Sequence, residues 1–315
     1  MKLLMSRRLP ESVMEAAGAR FEVTCRTTTQ PMAHDECVAA LAGYDIVLPT
    51  LGDAFRAEAF AAVPSPRCKL LANFGVGYNH IDVAAARAAG IAVTNTPGAV
   101  TDATADIAMT LILMTARRAG EGERLVRAGR WQGWHPVQML GMHVSGKTVC
   151  VIGMGRIGQA IARRCHFGFG CRVVYVNRSE KSVEFPAEQM AIAEALPLAD
   201  VVVLATPGGA ETHHLIGEAV FTAMQPHAIF VNIARGDIVD ESALIAALAK
   251  GQIAGAGLDV YEFEPEVPEA LRAMENVTLL PHLGTAALEV REDMGRMALD
   301  NVIAFAEGRA LPNPV

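Results

Sequence analysis

Three separated segments each carry a side chain suited to acid–base or anion chemistry just beyond an apolar run. They are Val231-Asn232-Ile233-Ala234-Arg235-Gly236-Asp237-Ile238-Val239-Asp240, Gly257-Leu258-Asp259-Val260-Tyr261-Glu262-Phe263-Glu264-Pro265 and Leu280-Pro281-His282-Leu283-Gly284-Thr285-Ala286-Ala287. An imidazole such as His282 titrates near neutral pH and can hand a proton to a reacting oxygen. A carboxylate such as Glu264 favours the charged form of a neighbouring imidazole and holds its ring in place. A guanidinium such as Arg235 pairs with carboxylates and stabilises negative charge developing on oxygen. Taken singly, each also has a plainer reading: Arg235 as a strand-end salt bridge, Glu264 as a loop carboxylate, His282 as a capping histidine.

A fourth segment is suited to phosphate. The apolar run Thr148–Ile152 leads into Gly153-Met154-Gly155-Arg156-Ile157-Gly158 and then into a helical pattern over Gln159–Cys165. In that setting the first glycine permits a tight turn, the second lets a pyrophosphate approach the backbone, and the third lets helix and strand pack closely. The helix N-terminus would receive the pyrophosphate. The alternative is a purely structural glycine turn. The next apolar run ends at Val176-Asn177-Arg178-Ser179, where a site specific for NAD would carry Asp or Glu for the ribose hydroxyls. Here Asn177 is neutral, Arg178 can pair with a 2′-phosphate and Ser179 can add a hydrogen bond, which argues for NADPH, with NADH possible. The alternative is that Arg178 is a solvated surface residue and Glu180 discriminates.

The elements that must position these groups alternate short apolar runs with amphipathic stretches, as βαβ units do. Strands are expected at Lys2–Met5, Phe21–Cys25, Asp45–Pro49, Lys69–Asn73 and Ala92–Thr94. A second series is expected at Thr148–Ile152, Arg172–Val176, Val201–Ala205, Ile229–Ile233, Gly257–Asp259 and Thr278–Leu280. Helical patterns include Asp53–Ala62, Val83–Ala89, Asp102–Arg118, Glu121–Ala128 and Leu288–Ala306, with an irregular arm over Gly129–Leu140. The reading is an α/β chain of two doubly wound parallel-sheet domains. A Rossmann nucleotide domain, residues 100–286, is inserted in a discontinuous flavodoxin-like substrate domain, residues 1–99 and 287–315. Crossings near Pro97–Gly98 and Gly284–Ala287 would serve as hinges around a cleft.

Composition narrows the partners. Of the 315 residues 51% are hydrophobic and the net charge is −7, so nucleic acid and anionic membranes are poor partners. No apolar stretch reaches the length of a membrane span, and the N-terminus lacks the apolar core of a signal peptide. The six cysteines show no CxxC or metal-ligand spacing and several sit in apolar segments, which points to a reducing cytoplasm. His213-His214 lack a third ligand nearby in the chain, and no metal is expected.

Together with the glycine loop, the three segments resemble the D-isomer-specific 2-hydroxyacid dehydrogenase family, over essentially the whole chain. The Asn177-Arg178-Ser179 strand end and the Gly129-Arg130-Trp131-Gln132-Gly133-Trp134 arm are most similar to its glyoxylate/hydroxypyruvate reductase branch. The resemblance implies reduction of small 2-keto acids to D-2-hydroxy acids, with Arg235, Glu264 and His282 catalytic. It implies a substrate-carboxylate cradle at Asn73–Asp82, using the N–H groups of Val76 and Gly77, with Leu51 and Gly52 lining the pocket. It implies cofactor contacts from Thr104, Gly153 to Gly158 (Met154, Gly155, Arg156 and Ile157 included), Thr206, Pro207, Ile233, Ala234, Arg235, Asp259, His282 and Gly284. Thr104 would approach the nicotinamide and Asp259 its carboxamide. Trp134 would reach a partner's active site in a homodimer, or else be a core aromatic. Arg291 is read as a solvated charge, and His80 needs no role. A D-lactate or D-mandelate type enzyme, or a dinucleotide-sensing binding protein of the same fold, remain the rival readings.

Overall fold

The computed structural model describes all 315 residues. The chain divides into two compact units, one of Met1–Val100 with Ala286–Val315, the other of Thr101–Thr285.

The first unit contains β1 (Lys2–Met5), α1 (Glu11–Gly18), β2 (Glu22–Cys25), α2 (His34–Gly43), β3 (Ile46–Leu48), α3 (Ala57–Ala61), β4 (Leu70–Ala72), α4 (Val83–Ala88) and β5 (Ala92–Thr94). Its sheet is all parallel in the order β2-β1-β3-β4-β5, the flavodoxin-like order. β3 and β4 are buried along their whole length, so they read as continuous apolar runs rather than alternating ones. The C-terminal helix, Leu288–Ala306, crosses α1 at Gly295, where a Cβ would come within 2.5 Å of Val13. α3 is shorter than the pattern over Asp53–Ala62 predicts. Asp53 instead turns its fully buried carboxylate onto the N–H groups of Thr50 (2.7 Å) and Met32 (2.8 Å), which holds the Thr50–Asp53 loop out of helix.

The second unit contains α5 (Thr101–Ala116), α6 (Ala119–Arg127), β6 (Thr148–Ile152), α7 (Arg156–Phe169), β7 (Arg172–Val176), β8 (Ala187–Gln189), α8 (Ile192–Ala195) and β9 (Val201–Leu204). It continues with α9 (Glu218–Ala223), β10 (Ile229–Asn232), α10 (Glu241–Ala249), β11 (Gly255–Leu258), α11 (Glu269–Ala273) and β12 (Val277–Leu279). The seven strands run in the order β12-β11-β10-β9-β6-β7-β8. This is the dinucleotide-fold order with one strand added, and it reverses direction between β6 and β9. The core under one face is built around Phe221 and Phe230, whose rings meet edge to face at 5.5 Å. Burying each such side chain contributes about 1.5–3 kcal/mol.

One strand was not expected from the sequence, and another starts two residues early. β8, an edge strand of Ala-Glu-Gln, carries no apolar signal, because only β7 pairs with it. β11 starts at Gly255, earlier than the Gly257–Asp259 run, because Gly255 and Gly257 let α5 lie against the strand. Added Cβ atoms there would stand 3.2 and 2.9 Å from Thr115. No helix of either unit is long and apolar enough to cross a membrane.

Candidate active site

The glycine loop fills the turn between β6 and α7. Gly153 has φ +99°, and a Cβ on it would lie 2.6 Å from the Thr206 nitrogen, so the loop rests directly on the Thr206-Pro207 turn after β9. A Cβ on Gly158 would meet the Gly153 carbonyl oxygen at 2.1 Å, which closes α7 onto β6. Above Gly155 there is open space, and no side chain caps the helix that begins at Arg156. An uncapped helix start beneath open space suits a pyrophosphate.

Asn177 braces this loop. Its Oδ1 accepts from Met154 N–H at 3.2 Å, and its Nδ2 donates to the Ser179 carbonyl at 2.7 Å. Arg178 projects into solvent, with 95% of its side chain exposed, and pairs loosely with Glu211 at 3.4 Å. It is therefore free to re-pair with a ligand phosphate at little cost.

The three acid–base segments converge at the carboxyl ends of β10, β11 and β12. His282 Nδ1 lies 2.8 Å from Glu264 Oε2, while Glu264 Oε1 accepts from Tyr261 N–H at 3.1 Å. His282 itself sits at φ +55°, in the left-handed region. The carboxylate of Asp259 is almost fully buried and accepts from Leu283 N–H (2.6 Å) and Gly284 N–H (2.8 Å). Burial pushes that carboxyl above its ordinary range, and those two N–H groups with the nearby His282 oppose the push. Thr104 Oγ1 donates to the Gly284 carbonyl at 3.1 Å, tying the start of α5 to the same turn.

Arg235 follows β10 in extended backbone. The only hydrogen bond of its guanidinium is from Nη1 to the Ala234 carbonyl at 2.6 Å, and no carboxylate lies within ion-pair distance of it. Burial pulls this guanidinium below its ordinary value, against the charges of Glu264 and Asp237. A largely desolvated cation without an ion pair is costly, and an anionic ligand would relieve the cost.

Two residues that the sequence did not single out shape this region. Asn232 is buried, accepts from Ala234 N–H at 2.9 Å and donates to the Arg235 carbonyl at 3.0 Å, which sets the turn that carries Arg235. Gly236 packs so closely on Tyr261 and Glu262 that a Cβ would fall 1.8 Å from the Tyr261 carbonyl carbon. This contact joins the Arg235 and Glu264 loops. Its signal was present in the quoted segment, where a glycine follows the arginine.

In the first unit, the Asn73–Asp82 turn is drawn in through its carbonyls. Asn73 Nδ2 donates to Gly75 and Gly77 carbonyls, each at 3.0 Å, and Asn95 Nδ2 to that of Val76 at 2.9 Å. The N–H groups of Val76 and Gly77 donate to no acceptor of the chain. Leu51 and Gly52 sit in the neighbouring exposed loop, which Arg7 holds by hydrogen bonds to Thr50 Oγ1 and to the Leu51 carbonyl. His80 is buried.

Other expectations divide. Ile233 and Ala234 are buried at the end of β10. Trp134 is 79% exposed, which removes the core-aromatic reading. Arg291 is half-buried rather than solvated, and burial lowers its pKa. His213-His214 do have a third metal-capable neighbour: Glu262 Oε1 is 2.7 Å from His214 Nε2. The expectation of no third ligand fails because loop docking at Gly236 supplies one from a distant part of the chain.

A seven-stranded doubly wound sheet with this glycine loop defines a dinucleotide-binding α/β protein. The model of the D-isomer specific 2-hydroxyacid dehydrogenase, NAD binding domain matches residues 109–284, and the chain belongs to that family. It is 42% identical to the glyoxylate reductase of Thermococcus onnurineus, over 100% of this chain and 95% of that protein. A crystal structure of a protein from Thermus thermophilus is 41% identical, with a TM-score of 0.93 over 100% of both chains. The NADPH-dependent glyoxylate/hydroxypyruvate reductase of Sinorhizobium meliloti, solved with NADP and malonate, is 34% identical. Its TM-score is 0.88, over 100% of this chain and 96% of that one.

Proposed function

We propose that this chain reduces small 2-keto acids, glyoxylate or hydroxypyruvate, to D-2-hydroxy acids, and that it uses NADPH in preference to NADH. The reading rests foremost on Arg235, a desolvated cation without an ion pair beside the His282–Glu264 couple. Relatives named glyoxylate reductase, matching along the full chain, support the substrate class. A neighbouring structure holding NADP supports the cofactor class.

The residues fit a bound dinucleotide. Gly153 to Gly158 would take the pyrophosphate, with Thr206 and Pro207 beside it. Asn177, Arg178 and Ser179 would take the adenosine ribose and its 2′-phosphate. Thr104, Ile233, Ala234, Asp259 and Gly284 would border the nicotinamide. When bound, the reduced nicotinamide supplies the hydride that adds to the keto carbon. His282 then gives its proton to the carbonyl oxygen, from Nε2, because Glu264 holds Nδ1. Glu264 keeps the ring oriented through its contact with Nδ1. Arg235 neutralises charge on the substrate carboxylate and the developing alkoxide. Val76 and Gly77 would offer their unpaired N–H groups to the carboxylate, with Leu51 and Gly52 bounding the substrate.

In the same reading, residues 1–99 with 287–315 form the substrate domain, and 100–286 the nucleotide domain. The protein works as a cytoplasmic homodimer in which the exposed Trp134 meets the partner. The test is a spectrophotometric assay of NADPH and NADH oxidation with glyoxylate, hydroxypyruvate and pyruvate. Turnover of glyoxylate with a higher kcat/KM for NADPH is expected. If no keto acid drives oxidation, the reductase reading fails and a dinucleotide-sensing role takes its place. Equal use of both cofactors removes the 2′-phosphate assignment.

A further inference from the structure

We propose that His213, His214 and Glu262 bind a single transition-metal cation of the zinc class, at a site apart from the residues read above as catalytic. The two imidazoles stack with centroids 4.0 Å apart and planes 24° from parallel. One ligand atom from each of the three side chains lies within 4.8 Å of the others. Tetrahedral zinc holds nitrogen and oxygen ligands at about 2.0–2.2 Å, so around a bound ion the three atoms would settle roughly 3.4 Å apart, the His214–Glu262 pair opening from its present 2.7 Å. Both histidines are exposed and can turn about their side-chain bonds to do so.

The donors decide the class of ion. Two imidazole nitrogens and one carboxylate oxygen, with a fourth position open to water, suit Zn²⁺, Co²⁺, Ni²⁺ or Cu²⁺. Mg²⁺ and Ca²⁺ prefer sets made wholly of oxygen.

The frame is already built. His214 takes φ +50° and its N–H donates to the Asp237 carbonyl at 2.9 Å. Next to it, Ile216 N–H donates to the Ile238 carbonyl and Asp240 N–H returns to the Ile216 carbonyl, each at 3.0 Å. Glu262 is fixed to the same 236–241 segment, by Gly236 against its backbone and by its N–H to Glu241 Oε1 at 3.0 Å. Both ligand-bearing segments are therefore clipped to one support. The carboxylates of Asp237, Asp240 and Glu241 add negative charge around it, which favours a cation. A bound cation would clamp the loop that continues to Glu264.

The experiment uses untagged full-length protein, stripped with chelator and titrated with ZnCl₂ by calorimetry, with Mg²⁺ as comparison. One Zn²⁺ per chain is expected, with a rise in thermal midpoint as the folded state gains a ligand. His213→Ala and Glu262→Gln should each weaken binding at least ~10-fold, since outer-shell partners alone contribute that much. His213→Ala should leave the turnover of metal-free protein unchanged. Absence of stoichiometric Zn²⁺ uptake, equal uptake of Mg²⁺, or unaltered affinity in His213→Ala would each overturn the assignment.

Discussion

The main-chain N–H of His282 donates to the carbonyl of Asp259 at 2.9 Å, so a buried aspartate anchors the histidine from below. The Asp259 carboxylate then takes the two N–H groups that follow, which fixes the chain as it leaves His282 at φ +55°. A left-handed conformation costs a residue other than glycine about 1–3 kcal/mol, so it persists only where neighbours impose it. Asp259→Ala removes that imposition. Unfolding free energy should fall by about 1.5–3 kcal/mol, the worth of a hydrogen bond to a charged group. Turnover should fall more than keto-acid KM rises, because the imidazole loses its aim. Denaturant titration and steady-state kinetics check both, and wild-type values in each would show that the anchor is dispensable.

His282→Ala and Arg235→Ala should each lower kcat/KM for glyoxylate by at least ~100-fold, from the usual size of acid catalysis and charge stabilisation. The two should differ in folding. His282→Ala leaves stability close to wild type, whereas Arg235→Ala relieves a desolvated cation and should stabilise the folded chain. Thermal midpoints measured beside the kinetics separate the effects. Variants with near wild-type turnover would remove the proposed roles.

Gly155 and Gly158 belong to one motif yet should fail differently. A Cβ on Gly155 meets nothing within 4 Å, so Gly155→Ala should change stability by no more than ~0.5 kcal/mol. Its methyl would occupy the space assigned to the pyrophosphate, and KM for the dinucleotide should rise. At Gly158 the added carbon would meet the Gly153 carbonyl oxygen at 2.1 Å. Overpacking of this kind costs about 1–3 kcal/mol or more, so Gly158→Ala should lower the thermal midpoint. Equal thermal midpoints for the two would contradict the packing argument.

The readable parts of this sequence are those in which local pattern and final environment coincide. Thr148–Ile152 and Arg172–Val176 form strands with the expected limits because each is an apolar run with its partner strands on both sides. Asn232, by contrast, gave no sign that its side chain would set the turn under Arg235, since it stands at the end of an apolar strand run like any polar strand-end residue. The His214–Glu262 contact was hidden for a different reason. The two residues are 48 apart in the chain and meet only because Gly236 lets two loops dock. Asp259 was expected to approach a nicotinamide carboxamide, and its partners within the chain are main-chain N–H groups of the His282 turn.

Arg178 tests the cofactor reading. It is held only by an exposed pair with Glu211, worth little in water. Arg178→Asp should therefore leave the thermal midpoint unchanged while placing a carboxylate where a 2′-phosphate is expected. NADPH should be used less well and NADH relatively better. The ratio of kcat/KM for the two cofactors measures this, and an unaltered ratio would place the discrimination elsewhere.

Glu241 offers a test of electrostatics in the same loops. Its side chain is buried and accepts from Glu262 N–H at 3.0 Å. Burial pushes its carboxyl above the ordinary value, that hydrogen bond opposes the push, and the charges of Glu262 and Glu264 add to it. A carboxyl whose folded pKa is raised holds its proton longer in the folded state than in the unfolded chain. Its contribution to stability is therefore greatest in acid. It declines as pH climbs from the unfolded value, about 4.3, through the folded one, and stays low above. Glu241→Gln keeps an oxygen to accept from Glu262 N–H and removes the charge. The variant should be more stable than wild type near neutral pH, and the difference should vanish as the pH is lowered past the carboxylate range. Denaturant midpoints of both proteins across that range check the sign. A variant less stable at neutral pH would show that the Glu241 charge itself supports the fold.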